Sequence, residues 1–144
     1  MNSHLFLFSQ GVWLGEGNIS FSASPESLHF ATKWFVDKKN KEGILCTQDV
    51  ELQDSEEMIH NTFFLSDLKN GVFAIQLENE LIGSVAGSGL IEKDRIAWEF
   101  RSHLNFQGYE IYNLQDNGEY TFHAEYFSPD QFRTIIDGRI WMKN

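Results

Sequence analysis

Five histidines (His4, His29, His60, His103, His123) and one cysteine, Cys46, are the groups of this chain best suited to chemistry near neutral pH. No histidine is spaced from another histidine, a cysteine or a carboxylate as a metal-ligand set would be, so no metal is expected. His123-Ala124-Glu125 puts an imidazole and a carboxylate on one face of an extended segment, and Glu99, Arg101 and His103 share another such face. If the two segments are neighbours, these five side chains cluster. Facing outward they are cross-strand ion pairs; facing inward they line a polar cavity with an acid/base pair. The aromatic residues on the opposite faces favour the outward reading. His60 is different. It sits where Met58, His60 and Thr62 alternate with Ile59, Asn61 and Phe63, so its face is left open and it can point inward, as a hydrogen-bonded cavity residue or as a general acid/base. Cys46 has apolar flanks and no basic neighbour in sequence, which makes it a small core hydrophobe rather than a nucleophile. There is no Gly-x-Ser-x-Gly elbow, P-loop, dinucleotide fingerprint or Cys-x-x-Cys. No catalytic residue is assigned, and the chain reads as a binding protein more readily than as an enzyme.

The elements that would position these groups are strands. Runs of alternating residues, each closed by a turn signal, recur about every twelve residues. The runs are Gly11–Phe21, Leu28–Asp37, Ile44–Leu52, Glu57–Leu65, Val72–Leu77, Leu81–Ile91, Arg95–His103, Tyr109–Leu114, Glu119–Phe127 and Phe132–Met142, the last with a break suggested at Asp137-Gly138. Asn70-Gly71 and Asn117-Gly118 are strong hairpin signals, because both residue types tolerate positive φ. Asn105-Phe106-Gln107-Gly108 reads as a turn. Ser128 is placed to cap a short helical turn begun by Pro129. Gly83–Gly89 is glycine-rich but lies between strand patterns, so it reads as a bent strand rather than a phosphate loop. About ten strands with short loops must be antiparallel neighbours. Closure into a barrel removes the two exposed edges of such a sheet; a two-sheet sandwich would require longer crossovers than these loops supply.

Composition agrees. The chain has 144 residues, one domain's worth, spanning 1–144. Hydrophobic residues are 42% and aromatics 15%, with 13 Phe, which suits pleated strands better than helices. The formal net charge of −10 repels phosphate backbones and anionic membranes, so neither nucleic acid nor a membrane is an expected partner. A lone cysteine excludes an internal disulfide framework, no apolar run approaches a membrane span, and Met1–Phe8 lacks the features of a secretory signal. A cytoplasmic protein is expected, and a homodimer is compatible with this reading.

Gly11-Val12-Trp13 at the start of the first strand resembles the opening of lipocalin-like and fatty-acid-binding-protein-like barrels, the calycins. The longer Gly11-Val12-Trp13-Leu14-Gly15-Glu16-Gly17 is similar to the opening of the nitrobindin group, ten-stranded calycins that bind haem. Gly138-Arg139-Ile140-Trp141-Met142-Lys143 resembles the closing strand of fatty-acid-binding proteins, with Trp141 where those carry Tyr. The resemblance covers the two ends of the chain and the strand count. It implies that Trp13 plugs one barrel end with Arg139 stacked on it, and that Arg139 is available to an anionic ligand. The nitrobindin group holds haem through a histidine near the C-terminus. No histidine follows His123 here, so no cofactor is expected. Nor is there room between Ser22 and Ser27 for the helical lid of fatty-acid-binding proteins.

The sequence thus predicts an all-β fold: a single antiparallel up-and-down barrel of about ten strands, calycin-like, with an aromatic-lined cavity for a small hydrophobic or amphipathic molecule. The expected lining is Phe30, Trp34, Phe73, Ile75, Trp98, Phe100, Tyr120 and Phe122, with His60 or Arg139 orienting the ligand. Two alternatives remain. One is a barrel enzyme of isomerase or hydratase type with an inward His60; the other is a barrel filled by its own aromatics, with a structural or partner-binding role.

Overall fold

A computed structural model of the chain describes residues 4–103, 106–127 and 132–144. Ten strands follow one another: β1 (Gly11–Phe21), β2 (Ser27–Val36), β3 (Ile44–Leu52), β4 (Met58–Lys69), β5 (Val72–Asn79), β6 (Gly83–Glu92), β7 (Arg95–His103), β8 (Phe106–Leu114), β9 (Tyr120–Phe127) and β10 (Arg133–Met142). Each pairs antiparallel with the next, and β1 pairs with β10 from Trp13↔Met142 to Phe21↔Thr134, closing the barrel. Closure leaves no free sheet edge. The described residues contain no helix.

The hairpins form where turn chemistry dictates. Asn70 and Gly71 both take positive φ, 56° and 78°, as a two-residue turn matched to strand twist requires. The Asn79 side chain accepts from the backbone N–H groups of Leu81 and Ile82, which delays the start of β6 to Gly83. A bulge between Ser66 and Lys69, with Asp67 at φ 53°, lets β4 run on to Lys69 instead of ending at Leu65.

Two expected interruptions are absent. Phe106, Gln107 and Gly108 belong to β8: a Cβ at Gly108 would lie 2.3 Å from the Tyr126 ring, so glycine here makes room rather than a turn. Likewise β10 passes unbroken through Asp137-Gly138, with Gly138 facing Gly17 across the closing seam. The expected Ser128–Pro129 cap and Asn105 lie outside the described residues.

Alternation assigns the interior. Trp13, Phe30, Trp34, Cys46, Phe63, Leu65, Phe73, Ile75, Leu77, Trp98, Phe100, Tyr112, Tyr120, Phe122 and Ile140 are buried in one core. β1 begins and β10 ends at one mouth of the barrel, where described residues preceding β1 fold back into it. Phe6 is fully buried there, with its ring centroid 5.1–5.6 Å from those of Trp13, Trp34, Tyr112 and Tyr120.

Candidate functional site

All eight side chains expected to line a cavity are buried inside the barrel. Many of them meet ring to ring. Trp34 stacks on Phe63 with centroids 5.1 Å apart, Trp98 on Tyr112 at 5.0 Å, and Tyr112 on Phe122 at 5.0 Å. Phe6 packs among them, below a pocket of about 760 Å³ at the mouth where β1 begins, lined by His4, Phe8, Ile44, Leu68 and Ile91.

The far half differs. Gln48, Val50 and Leu52 on β3, Ile59 and Asn61 on β4, Asn79 on β5, Tyr126 on β9 and Ile136 on β10 fall on the inward register but are only half-buried. Inward-facing residues nearer the mouth where β1 begins, such as Leu65, Ile96 and Ile140, are fully buried. Solvent therefore touches these side chains at the far mouth, while Ile19, Phe30, Leu77, Val85 and Phe100 in the same half are buried. On one wall of this mouth, polar side chains form a ladder. Asn79 donates to Asn61 (3.0 Å), Asn61 to Gln48 (3.0 Å) and Gln48 to Thr32 (3.2 Å), and Thr32 donates to the Asp49 carbonyl (2.9 Å). This ladder satisfies polar groups that face inward and explains why Asn61 takes the inner face while His60 takes the outer one.

In the opposite wall stands Glu110, 8% exposed, between Trp98 and Ala124 in the register. Tyr112 donates its hydroxyl to Oε1 (2.8 Å) and Tyr126 donates to Oε2. Burial pushes the carboxyl's pKa above the usual range, while the two tyrosine hydrogen bonds pull it back. Burial beside Glu110 also pushes both tyrosines well above their usual value. Sequence reasoning missed this group. The signal was present, because Glu110 and Tyr112 share a face with Gly108, but a carboxylate on an otherwise apolar face reads as a strand end.

Two expected polar contacts lie outside instead. His60 is 61% exposed on the outer face, with Nδ1 2.5 Å from Asp49, because period 2 sends it opposite Asn61 and Phe63. It lines a surface groove of about 870 Å³ with Met58, Thr62, Glu78, Leu81 and Ser84. An inward acid/base role for His60 is therefore corrected. Arg139 is 51% exposed and also outward, within 3.2 Å of Glu119 and 3.6 Å of Glu16. Its guanidinium lies over Trp141, 4.6 Å from the ring centroid. The expected Trp13–Arg139 stack is replaced by this Arg139–Trp141 pair, because Trp13 faces the core while residues 139 and 141 share the outer face.

The five-residue polar cluster divides. β8 separates β7 from β9, so Glu99 pairs with Arg101 (3.0 Å) while Glu125 belongs to a second group. In that group His123 meets Asp137 (2.6 Å) through Nδ1 and Glu125 (3.0 Å) through Nε2, and Tyr109 donates to Glu125 (2.6 Å). The His103 side chain lies outside the described residues. Hydrogen bonds to Glu125 and Asp137 raise the His123 pKa from 6.5, and the same bond lowers that of Glu125. A histidine with a raised folded-state pKa adds stability below its unfolded pKa and loses it as pH rises through the folded one. NMR titration of His123 is expected to give a midpoint above 6.5, and Asp137→Asn is expected to bring it back toward that value. An unchanged midpoint in that variant would remove Asp137 from the account.

Cys46 is buried, and its thiol is pushed up to about 12 by burial and by the nearby Asp37 charge, so it carries no nucleophile at neutral pH. Among the described residues no group of three His, Cys, Asp or Glu side chains is arranged to hold a metal ion. Of the described histidine side chains, His60 and His123 face outward, His29 is exposed, and His4 bonds Tyr120 (2.6 Å) and the Glu92 carbonyl (2.7 Å) at the mouth where β1 begins.

The class these features define is a closed ten-strand antiparallel barrel with a buried aromatic cluster, compatible with a calycin-like fold. No family model matches the chain, and no curated protein matches it.

Proposed function

We propose that this protein is a calycin-type carrier that binds a small hydrophobic or amphipathic molecule in the far half of its barrel, without haem and without catalysis. The observation that carries the reading is a partly open far mouth. Inward-facing Val50, Leu52, Ile59 and Ile136 remain half-buried there, while Phe6 packs among Trp13, Trp34, Tyr112 and Tyr120 toward the other end. Apolar side chains held partly exposed in a concave space gain by burial against a ligand, about 25 cal/mol per Å² of apolar surface covered. The Thr32–Gln48–Asn61–Asn79 ladder supplies polar atoms that orient it. The barrel-enzyme alternative loses its acid/base, since His60 faces outward. The net charge of −10 argues against nucleic acid and anionic membranes as partners, and the reading places the carrier in the cytoplasm.

The test is uptake of the neutral solvatochromic dye Nile red. Wild type is expected to bind it near one equivalent. Val50→Trp, which fills the far mouth, is expected to weaken uptake at least about tenfold, the loss of about 1.4 kcal/mol. Binding unaffected by Val50→Trp would place the dye elsewhere and overturn the reading. A wild type that takes up no dye would favour the second reading, a self-filled barrel with a partner-binding role, for which the ring-to-ring packing of Trp34, Phe63, Trp98, Tyr112 and Phe122 speaks.

A further inference from the structure

We propose that the ligand of this far mouth carries a cationic amine, and that Glu110 with its two tyrosines is the site that receives it. The inference rests on the carrier reading and names the class of ligand. Glu110 is 8% exposed, and the described interior offers it no countercharge: the buried polar and charged residues are His4, Thr32 and Glu110, and every described Lys and Arg lies on the outer face or in a loop. His4 is committed to Tyr120 and Glu92 at the other end. A carboxylate buried without a cation is costly, and pairing with a charged hydrogen-bond donor removes most of that cost.

The surroundings suit an ammonium group. Burial raises the pKa of the carboxyl, the hydroxyls donated by Tyr112 and Tyr126 offset part of that, and both oxygens keep lone pairs with which an arriving ammonium group would favour the ionised form. The Trp98 ring is stacked on Tyr112 at 5.0 Å, and the Phe106 ring lies 5.1 Å from Tyr126. Aromatic faces around a carboxylate attract a cation through their quadrupoles. Tyr126 is half-buried on the inward register, so a ligand entering the far mouth would meet Tyr126 first, with Glu110 behind it. An anionic headgroup, by contrast, meets a carboxylate and no base.

The experiment displaces bound Nile red with three ligands of equal chain length, decylamine, decanol and decanoate, at neutral pH and at low and high salt. Decylamine is expected to displace the dye at a concentration at least about tenfold lower than either of the others. The preference is expected to persist in high salt, where attraction to the acidic surface is screened. Glu110→Gln is expected to abolish it, bringing decylamine level with decanol; Glu125→Gln, on the outer face, is expected to leave both dye uptake and the preference unchanged. Dye uptake with decanol or decanoate as effective as decylamine in wild type would overturn the amine inference and leave the carrier reading standing. So would a preference that Glu110→Gln retains. No uptake of Nile red by wild type would overturn the carrier reading itself. The wild-type ranking decides the matter alone if Glu110→Gln fails to fold.

Discussion

Phe6→Ala is expected to cost about 3–5 kcal/mol of folding stability, the range for removing a fully buried phenylalanine. The residue precedes the first strand, yet its ring is fully buried and meets four aromatic rings, with a near-perpendicular contact to Trp34 at 5.2 Å. Its segment is further held by His4, which joins the Tyr120 hydroxyl to the Glu92 carbonyl across the mouth. With alanine there, either a void remains among Trp13, Trp34, Tyr112 and Tyr120, or the segment undocks and admits water to them. Both routes lose the same ring contacts. For a domain of this size the midpoint of thermal unfolding should fall by roughly 6–20 °C. Urea unfolding followed by tryptophan fluorescence measures the loss directly. A change below about 1 kcal/mol would mean that the segment does not occupy the barrel in solution. Since domains commonly hold only about 5–15 kcal/mol in total, a full-sized loss would make this short segment a principal support of the fold.

The closing seam between β1 and β10 should be nearly as sensitive. A Cβ at Gly17 would lie 2.2 Å from the Asp137 carbonyl oxygen and 2.9 Å from the Phe30 ring; one at Gly138 would lie 2.4 Å from the Glu16 carbonyl oxygen and 2.9 Å from Phe122. The two glycines face each other, and Phe30 and Phe122 cover them with centroids 6.2 Å apart. The strands cross the seam this closely because neither residue carries a side chain. Gly17→Ala must push backbone against backbone, and is expected to cost about 1–3 kcal/mol or more, as overpacking does. Gly11→Ala is the control. Nothing lies within 4 Å of a Cβ there, so a change within about 0.5 kcal/mol is expected. Equal effects at Gly11 and Gly17 in urea unfolding would argue against a tight seam.

Much of the architecture follows from local pattern. Strand alternation has period 2, and turn residues act within four positions, so ten strands, their antiparallel order and the Asn70-Gly71 hairpin could be read directly along the chain. The glycines of Gly11-Val12-Trp13-Leu14-Gly15-Glu16-Gly17 marked the first strand, and its alternation put Trp13, Gly15 and Gly17 on one face. Alternation alone does not say which face is inside where both are mixed. For Met58–Leu65 that decision was made by Gln48 and Asn79, which receive Asn61 between them from neighbouring strands. Arg139 was likewise turned outward by barrel closure, toward Glu16 and Glu119.

What lay beyond the sequence was long-range. Phe6 belongs to no strand and finds its partners only once β1, β2, β8 and β9 have been brought together; His4 meets a residue 116 positions away. Glu110 breaks the apolar pattern of its own face, and only its neighbours Tyr112, Tyr126 and Trp98 make that face habitable for a carboxyl. The sequence by itself determined the strands, because their rules are local. The tertiary structure decided what packs beneath one mouth of the barrel and which acid stands in its wall, because those depend on side chains that only closure makes neighbours.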